Sequence, residues 1–438
     1  MSTLEIDERT PRVLSADASS YLGQLVTVKG FVHRIYDFGQ LLFIHVRDRT
    51  GLLQCTLEGI QLDRHILPES VVSVYGRMTE SQKAPGGIEM RVEKLDVLSE
   101  PTVPLPFEIN KKGLRVKLDG ILDHRVLSLR EPSTHAVLSI QSALVAGFRE
   151  FLQTQGFTQI FTPKIVGSGT EGGSNLFPVN YFEQSAYLAQ SPQFYKQMMI
   201  GAGYERVFEI GPVFRAESHN TSRHLNEYTS LDVEIGFVEN ESELMQLETE
   251  LLKYMFDYVA GNCRNELALH GLELPVITDI PRITLAEAQG ILRTEYNKES
   301  PNGDLDPEGE RLICKHMAQS VAVPLVFITQ YPLESRPMYA LPMDDKQELT
   351  ASFDLLFNGL EITTGGLRIH RIHELEMSIK RRRLNPENFT AYLDAFRYGM
   401  PPHGGFAIGL ERLTSKLLNL ANVREATAFP RDRHRLTP

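Results

Sequence analysis

The sequence predicts an α+β protein in two parts, a small all-β barrel followed by a larger domain of strands and helices. Three observations predict it. Between Leu25 and Leu98, short runs alternate apolar and polar residues at the strand period of two. A proline-punctuated basic stretch then interrupts that pattern. From Pro132 onward, apolar residues first recur at helical spacing, and strands rich in Val, Ile and Phe then alternate with helices.

The barrel strands are "LVTVKGFVHRI", "QLLFIHVRD", "GLLQCTLEG", "SVVSVYGRMTE" and "GIEMRVEKLDVL", separated by Gly-containing turns. Five strands suit a small closed barrel of the OB type. Pro101, Pro104 and Pro106, then "NKKGLRVKLDG", read as a connector between domains. In "STHAVLSIQSALVAGFREFLQTQGF", Val137, Ile140, Leu144, Phe148 and Phe151 mark one long amphipathic helix, with Ser133 or Thr134 as N-cap and Gly156 as its stop. It runs into the strand "FTQIFTP", ended by Pro163. Residues 239–330 read as a helical stretch and insertion beside the main sheet. The expected division is 1–103 for the barrel, 104–132 for the hinge and 133–438 for the larger domain.

With 438 residues, 42% apolar, the chain can build at least two cores. No apolar run approaches the roughly 18 residues of a membrane span, and "MSTLEIDERTPR" lacks the features of a signal peptide. A cytoplasmic location with no membrane partner is expected. Cys55, Cys263 and Cys314 are far apart, which argues against a disulfide framework or a zinc site. A formal net charge of −11 argues against a non-specific nucleic-acid binder. Any RNA contact must use local patches, such as Lys111, Lys112, Arg115 and Lys117 in the connector or "KRRR" at 380–383, unless these are ordinary solvated charge.

Five clusters can carry chemistry. In "FRAESHNTSRHLNEYTSLDVEIGF", Leu231, Val233, Ile235 and Phe237 alternate with Asp232, Glu234 and Gly236. Arg215, Glu217, Asp232 and Glu234 can therefore share a polar surface beside a loop carrying Arg223 and His224. So much charge is costly to bury without a ligand. "GSGTEGGSNLF" surrounds Glu171 with glycines, which suits a mobile loop over a ligand or an ordinary flexible one. In "SPQFYKQ", Ser191 and Pro192 start a helix on which Gln193 and Lys196 share a face.

"GLEITTGGLRIH" delivers Glu361, a pair of threonines and Arg368. Glutamate beside a threonine oxygen suits Mg2+, with phosphate oxygens completing the shell. Strict alternation pairs Glu361 with Thr363, so use of Thr364 requires a bulge or a water bridge. In "HGGFAIGLERLTSKLLNL", a helix begins after Gly409 with Glu411 and Arg412 in its first turn. Arginine is unfavourable at that end of a helix, and a bound polyphosphate would reverse the penalty.

Taken together and in this order, the clusters resemble the class II aminoacyl-tRNA synthetases, specifically the aspartyl enzymes of archaeal type, over nearly all of the chain. The long helix and the strand ending at Pro163 resemble the family's first motif, which implies a homodimer. "FRAESHNTSRHLNE" with "LDVEIGF" resembles the second motif, and "GGFAIGLERL" the third. The resemblance implies an antiparallel catalytic sheet flanked by helices. It implies that Arg215 neutralises the α-phosphate of ATP and the acyl carboxylate, and that Glu217, Arg223, His224 and Leu225 hold the nucleotide. Arg412 would grip the γ-phosphate, and Gly409, Leu410 and Glu411 would line the adenosine side. Glu361 and Thr364 match the Mg2+ positions.

For the amino acid, the resemblance places Lys196 and Arg368 around the side-chain carboxylate of L-aspartate. Gln193 and Glu171 would engage its ammonium, with Thr364 alongside and Asp232 orienting the cations. Two cations should reject an amide.

The barrel resembles the family's anticodon-binding domain, with Phe43 as stacking residue or core phenylalanine, and Arg34 and Glu89 as possible polar contacts. Where members that accept only tRNA-Asp resemble a tryptophan and a lysine, this chain has His33 and Pro85. That pairing implies relaxed charging of both tRNA-Asp and tRNA-Asn, with a downstream amidotransferase making Asn-tRNA. The alternatives are an enzyme specific for tRNA-Asp, an asparagine-forming paralogue, or an RNA-binding protein with a dead site. The barrel argues against the paralogue, and intact Arg215, Glu361, Arg368 and Arg412 argue against the dead site.

Overall fold

The computed structural model describes residues 10–59, 66–111, 113–170, 175–321, 323–343 and 348–437. The chain divides into two compact units, Met1–Pro132 and Ser133–Pro438.

In the first unit, β1 (Leu25–Asp37), β2 (Leu41–Arg47), β3 (Leu52–Glu58), β4 (Val71–Glu80) and β5 (Ile88–Ser99) form a closed barrel in the order β1-β2-β3-β5-β4. Alternation sends Val26, Val28, Ile44, Val46, Val72, Val74, Met78 and Met90 inward, where none is solvent-exposed. The register pairs Tyr36 with Phe43, Phe43 with Thr56, His45 with Gln54 and Gln54 with Glu89, so these side chains form adjacent rows on one outer face across four strands, together the outer row of the barrel. A bulge between Val32 and Arg34 takes His33 out of that alternation. Two short helices, α1 (Leu118–Asp123) and α2 (Arg125–Ser128), follow the connector.

The second unit begins with α3 (Pro132–Thr154), β6 (Thr158–Gln159), β7 (Ile165–Val166), β8 (Pro178–Tyr181), β9 (Gln184–Leu188) and α4 (Gln193–Gly201). Then come β10 (Arg206–Phe214), β11 (Glu227–Gly236), α5 (Glu241–Asn262), α6 (Arg264–His270), β12 (Arg282–Thr284), α7 (Leu285–Tyr296) and α8 (Pro307–Ser320). The last elements are β13 (Leu325–Thr329), β14 (Ser352–Phe357), β15 (Leu360–Arg368), α9 (Ile372–Arg381), α10 (Thr390–Arg397), β16 (His403–Gly409) and α11 (Leu410–Leu417). Eight strands form one sheet in the order β12-β13-β14-β15-β16-β11-β10-β6, antiparallel at its centre with one parallel pairing at each edge. Strands β7, β9 and β8 form a separate small sheet.

The apolar stripe of α3 is buried as its spacing requires, and Gly156 ends the segment in the left-handed region at φ +78°. Helices α3 and α5 share a core with Phe208, Leu231, Val233, Phe353, Leu355, Phe406 and Ile408, which all lie on one face of the sheet. The polar residues alternate onto the opposite face, and the site is built there.

Two expectations change. The stretch 239–330 is not only helical, since β12 and β13 join the main sheet; runs as short as "RIT" and "LVFIT" have too little periodicity to separate strand from helix. Phe237, expected as a core position, is 65% exposed at φ +59°, because β11 stops at Gly236.

Candidate active site

A cavity of about 310 Å³ opens on the polar face of the sheet. It brings together Gln193 and Lys196 from α4, Arg215, Glu217, Arg223, His224 and Leu225 from the β10–β11 loop, and Asp232 from β11. Glu361, Thr364 and Arg368 from β15, Gly409 from β16, and Glu411 and Arg412 from α11 complete the expected set. Leu410 is different: its side chain packs into the core and does not line the cavity. Glu171 lies outside the described residues. Arg215 sits just beyond the end of β10, but the hairpin continues one step, with Arg215 N–H donating to Asn226 O at 2.9 Å and Asn226 Nδ2 donating to Arg215 O at 2.8 Å.

At one end, Lys196 Nζ lies 3.1 Å from Asp232 Oδ1 and 3.2 Å from Glu234 Oε2, all three residues being almost fully buried. Arg368 Nε donates to Glu234 Oε1 at 3.1 Å, and Arg368 Nη2 to Gly405 O at 3.0 Å. Burial alone would raise the Glu234 carboxyl, but Arg368 and Lys196 outweigh it and hold the group below its ordinary value. The two cations are therefore already matched by two carboxylates, so what they present to the cavity is donor geometry rather than surplus charge. Ammonium and guanidinium offer only donors, so a ligand carboxylate can accept where an amide NH2 cannot. Gly405 is required here, because a Cβ would collide with the Glu234 carboxylate.

Behind Gln193, Gln197 Oε1 accepts from Gln193 Nε2 at 3.1 Å and from the Tyr392 hydroxyl at 3.0 Å. Gln197 Nε2 lies 2.8 Å from His403 Nε2, and burial lowers the His403 pKa to about 4, so the ring is neutral and accepts.

At the other end, Ile362 forms a bulge: Leu355 pairs with Thr363, and Leu356 pairs with Glu361. Glu361 and Thr364 thereby face the same way, and Thr364 Oγ1 donates to Glu361 Oε1 at 3.0 Å. Thr363 is buried and does not line the cavity. Arg412 Nη1 donates to Glu361 O at 3.0 Å and lies 3.7 Å from Oε1. Burial favours the neutral Glu361 carboxyl, yet Arg412, the Thr364 hydroxyl, Arg336 and Arg215 outweigh it and lower its pKa. Glu411 accepts the Thr229 N–H with both oxygens, at 3.1 and 3.0 Å, while burial raises its pKa to about 7. His224 Nδ1 lies 2.7 Å from Thr221 Oγ1, and burial, then Arg412, lowers its pKa.

The donor set at Glu361 and Thr364 is hard oxygen, which fits magnesium. Among the described residues no cluster of three or more His, Cys, Asp or Glu is arranged for a metal, so the fit requires phosphate oxygens and waters in the shell, as magnesium prefers.

Residues 117–433 match the family of tRNA synthetases class II (D, K and N). The chain belongs to that family. Residues 26–98 also match the OB-fold nucleic acid binding domain. An aspartate--tRNA(Asp/Asn) ligase of Thermus thermophilus is 51% identical, covering 98% of this chain and 100% of that protein. An aspartate--tRNA(Asp) ligase of Pyrococcus horikoshii is 45% identical, covering 95% and 97%. Among solved structures, an asparaginyl-tRNA synthetase from Pyrococcus horikoshii complexed with asparaginyl-adenylate superposes with TM-score 0.90 at 30% identity, covering 97% of this chain and 99% of that one.

In the barrel of this class II synthetase, Phe43 stands half-buried in the outer row, edge-on to the exposed Phe38, rather than in the core. Glu89 Oε2 accepts from Gln54 at 2.8 Å and Thr56 at 2.9 Å in the same row. Arg34 donates to Asn110 O. Pro85 is exposed in the turn before β5. His33 does not join this row: it is 6% exposed, and Arg47 Nη1 donates to its Nδ1 at 2.8 Å. A guanidinium can only donate, so the ring carries its proton on Nε2; burial, then Arg47 and Arg34, lowers its pKa to about 4.

Some side chains at and behind the cavity of the synthetase have no role that local sequence patterns predict. Arg336, stacked on Tyr331 at 3.7 Å, pairs with Asp354 at 2.8 Å, and Asp354 is cross-strand from Thr364. Glu234 stood on the predicted polar face, but its partners come from α4 and β15, which no local pattern links to β11. Within "KRRR", Arg382 is structural, its Nη2 donating to Arg336 O at 2.7 Å and Leu333 O at 2.9 Å.

Proposed function

We propose that this chain activates L-aspartate with ATP and transfers it to both tRNA-Asp and tRNA-Asn. One observation carries the reading: Lys196, Arg215, Arg223, Arg336, Arg368 and Arg412, from segments far apart in sequence, line a single cavity.

The chemistry requires that cavity. An aspartate α-carboxylate oxygen must bond to the α-phosphorus of ATP as the α–β bond breaks and pyrophosphate leaves, although both reactants are anionic, so the work is charge neutralisation and alignment. No general base is needed, because the nucleophile is already ionised. Lys196 and Arg368 receive the side-chain carboxylate, and Gln193, braced by Gln197, takes the ammonium side together with Glu171. Arg215 faces the α-phosphate and the attacking carboxylate, where charge develops in the transition state. Arg412 and Arg223 hold the outer phosphates, while the Glu217–Leu225 turn, Gly409 and Glu411 enclose the nucleoside. When bound, magnesium held by Glu361 and Thr364 supplies further positive charge against the phosphate oxygens. A terminal ribose hydroxyl of tRNA then attacks the aspartyl-adenylate and releases AMP.

In the barrel, Phe43 stacks an anticodon base. His33, smaller than an indole and withdrawn into its bulge, and Pro85, with no donor, leave the third anticodon base unread, so C and U are both accepted. Support comes from the 51% identical Thermus protein, itself named for both tRNAs. Two copies are expected to pair through α3 and the adjoining strand, where Phe161 is 82% exposed. The enzyme works in the cytoplasm, upstream of an amidotransferase that converts Asp-tRNA-Asn.

ATP–pyrophosphate exchange in the presence of aspartate or asparagine tests the first step. Exchange driven by aspartate and not asparagine is expected. Exchange with asparagine alone, or with neither, sinks the reading.

A further inference from the structure

Glu310 belongs to α8, in the stretch to which the sequence assigned no role, and is 6% exposed. Its carboxylate serves two groups of the nucleotide end. Both oxygens accept from Arg223 Nη2, at 2.7 and 2.6 Å. Oε2 also accepts the Glu361 N–H at 3.0 Å.

The second bond has a cause in the sheet. Pairing of β15 with β16 begins only at Thr363, so at Glu361 that edge has no partner strand. The N–H and C=O of one strand residue point to the same edge, and here side chains occupy both: Glu310 takes the N–H, and Arg412 Nη1 donates to the C=O at 3.0 Å. On the other side of Glu310, Arg223 has Nη2 engaged, while Nη1 is buried with no hydrogen-bond partner among the described residues, in a side chain that lines the cavity. A buried guanidinium nitrogen with no acceptor is a costly arrangement that an anionic ligand relieves.

We propose that Glu310 is a positioning residue for the nucleotide: one buried carboxylate orients Arg223 toward phosphate and fixes the main chain of Glu361, coupling the phosphate grip to the magnesium ligand. This rests on the nucleotide-binding reading above. A carboxylate is needed because both its oxygens accept. Glutamine has the same size but presents one NH2, which opposes either Arg223 or the Glu361 N–H.

The test uses the full-length protein and isothermal titration of ATP, with magnesium and with EDTA. Glu310→Gln should bind ATP about tenfold more weakly in both conditions, consistent with loss of a charged hydrogen bond. In pyrophosphate exchange its KM for ATP should rise by a similar factor, while KM for aspartate stays within about twofold. In EDTA, adding Glu310→Gln to Arg223→Ala should cost nothing further, because only the arginine route remains; with magnesium the second change should still weaken binding. A general brace for the fold would raise both KM values together.

Unchanged ATP affinity in Glu310→Gln, parallel rises in the two KM values, or a full additional loss in the Arg223→Ala background in EDTA overturns the proposal. Should Glu310→Gln not fold, Glu310→Asp, which keeps the charge but shortens the reach, carries the same comparisons. Wild-type protein that binds ATP without aspartate-driven exchange defeats the functional reading and leaves this inference standing.

Discussion

The Thr364 hydroxyl donates to Glu361 Oε1 at 3.0 Å, a pairing that strict strand alternation forbids and the bulge at Ile362 creates. The bulge puts two oxygen-bearing side chains on one face of the strand, the pair proposed to hold magnesium. Two residues three apart face the cavity, and the intervening Thr363 faces the helix layer instead. Thr364→Val should therefore lower magnesium-dependent pyrophosphate exchange by about tenfold, the order expected for losing a hydrogen bond to a charged group. Thr363→Val should leave exchange unchanged, because Thr363 is buried and does not line the cavity. Magnesium titrations of exchange in both variants check this; equal effects would mean that the bulge is irrelevant to the site.

Glu234 is the hub of the end proposed to bind aspartate, contacting Lys196 at 3.2 Å and Arg368 at 3.1 Å with no solvent exposure of its own. Glu234→Gln removes one of two carboxylates facing two buried cations. The expected loss is about 3 kcal/mol of stability, as for breaking a buried ion pair from one side, together with a raised KM for aspartate. Urea unfolding and aspartate-dependent exchange measure the two effects. A stability change within ~0.5 kcal/mol would show that the cluster is hydrated rather than buried.

Glu248, on α5 beneath the sheet, is fully buried. Burial raises its pKa to about 8, with Asp354 adding repulsion and the Thr363 hydroxyl opposing the shift. The folded value lies above the unfolded one, so its contribution to stability is fully present below the unfolded value of 4.5 and is lost as pH rises through about 8. Glu248→Gln should remove that dependence. Relative to the variant, wild type should lose on the order of a few kcal/mol between pH 5 and 9. Buried groups such as Glu411 titrate in both proteins, so the difference isolates Glu248. Parallel stability curves would contradict the assignment.

In the barrel, Phe43→Ala should weaken tRNA binding by about tenfold, the order of one lost base-stacking contact, with little change in melting temperature. His33→Trp with Pro85→Lys should shift preference toward tRNA-Asp. The indole must displace the Arg47 contact at His33 Nδ1, so the pair is compared with His33→Asn, which tests displacement alone. Relative acylation efficiencies of the two tRNAs are the readout, and an unchanged ratio removes His33 and Pro85 from the specificity account.

Local patterns reached far in this chain. The five alternating runs are the five barrel strands, and the stripe from Val137 to Phe151 is the buried face of α3. Gln193 and Lys196 could be placed on one helix face because Ser191 and Pro192 mark its start. What stayed hidden is non-local. Nothing near Glu234 announces that its partners lie on α4 and β15, and nothing near Glu310 links α8 to the start of β15. The bulge at Ile362 was needed by the chemistry but not visible in "LEITT", because one extra residue leaves the apolar pattern of so short a strand unchanged. His33 reads as one more strand position, and only the register reveals that it leaves the outer row for a buried contact with Arg47.

Aspartylation of pure tRNA-Asp and tRNA-Asn transcripts by the same preparation tests the central claim most directly, since it needs the cavity and the barrel to act in one reaction. Both transcripts should accept aspartate with comparable kcat/KM, and exchanging only their third anticodon base should change little. Charging of tRNA-Asp with strong rejection of tRNA-Asn would contradict the relaxed reading of the barrel, and charging of neither would contradict the whole account.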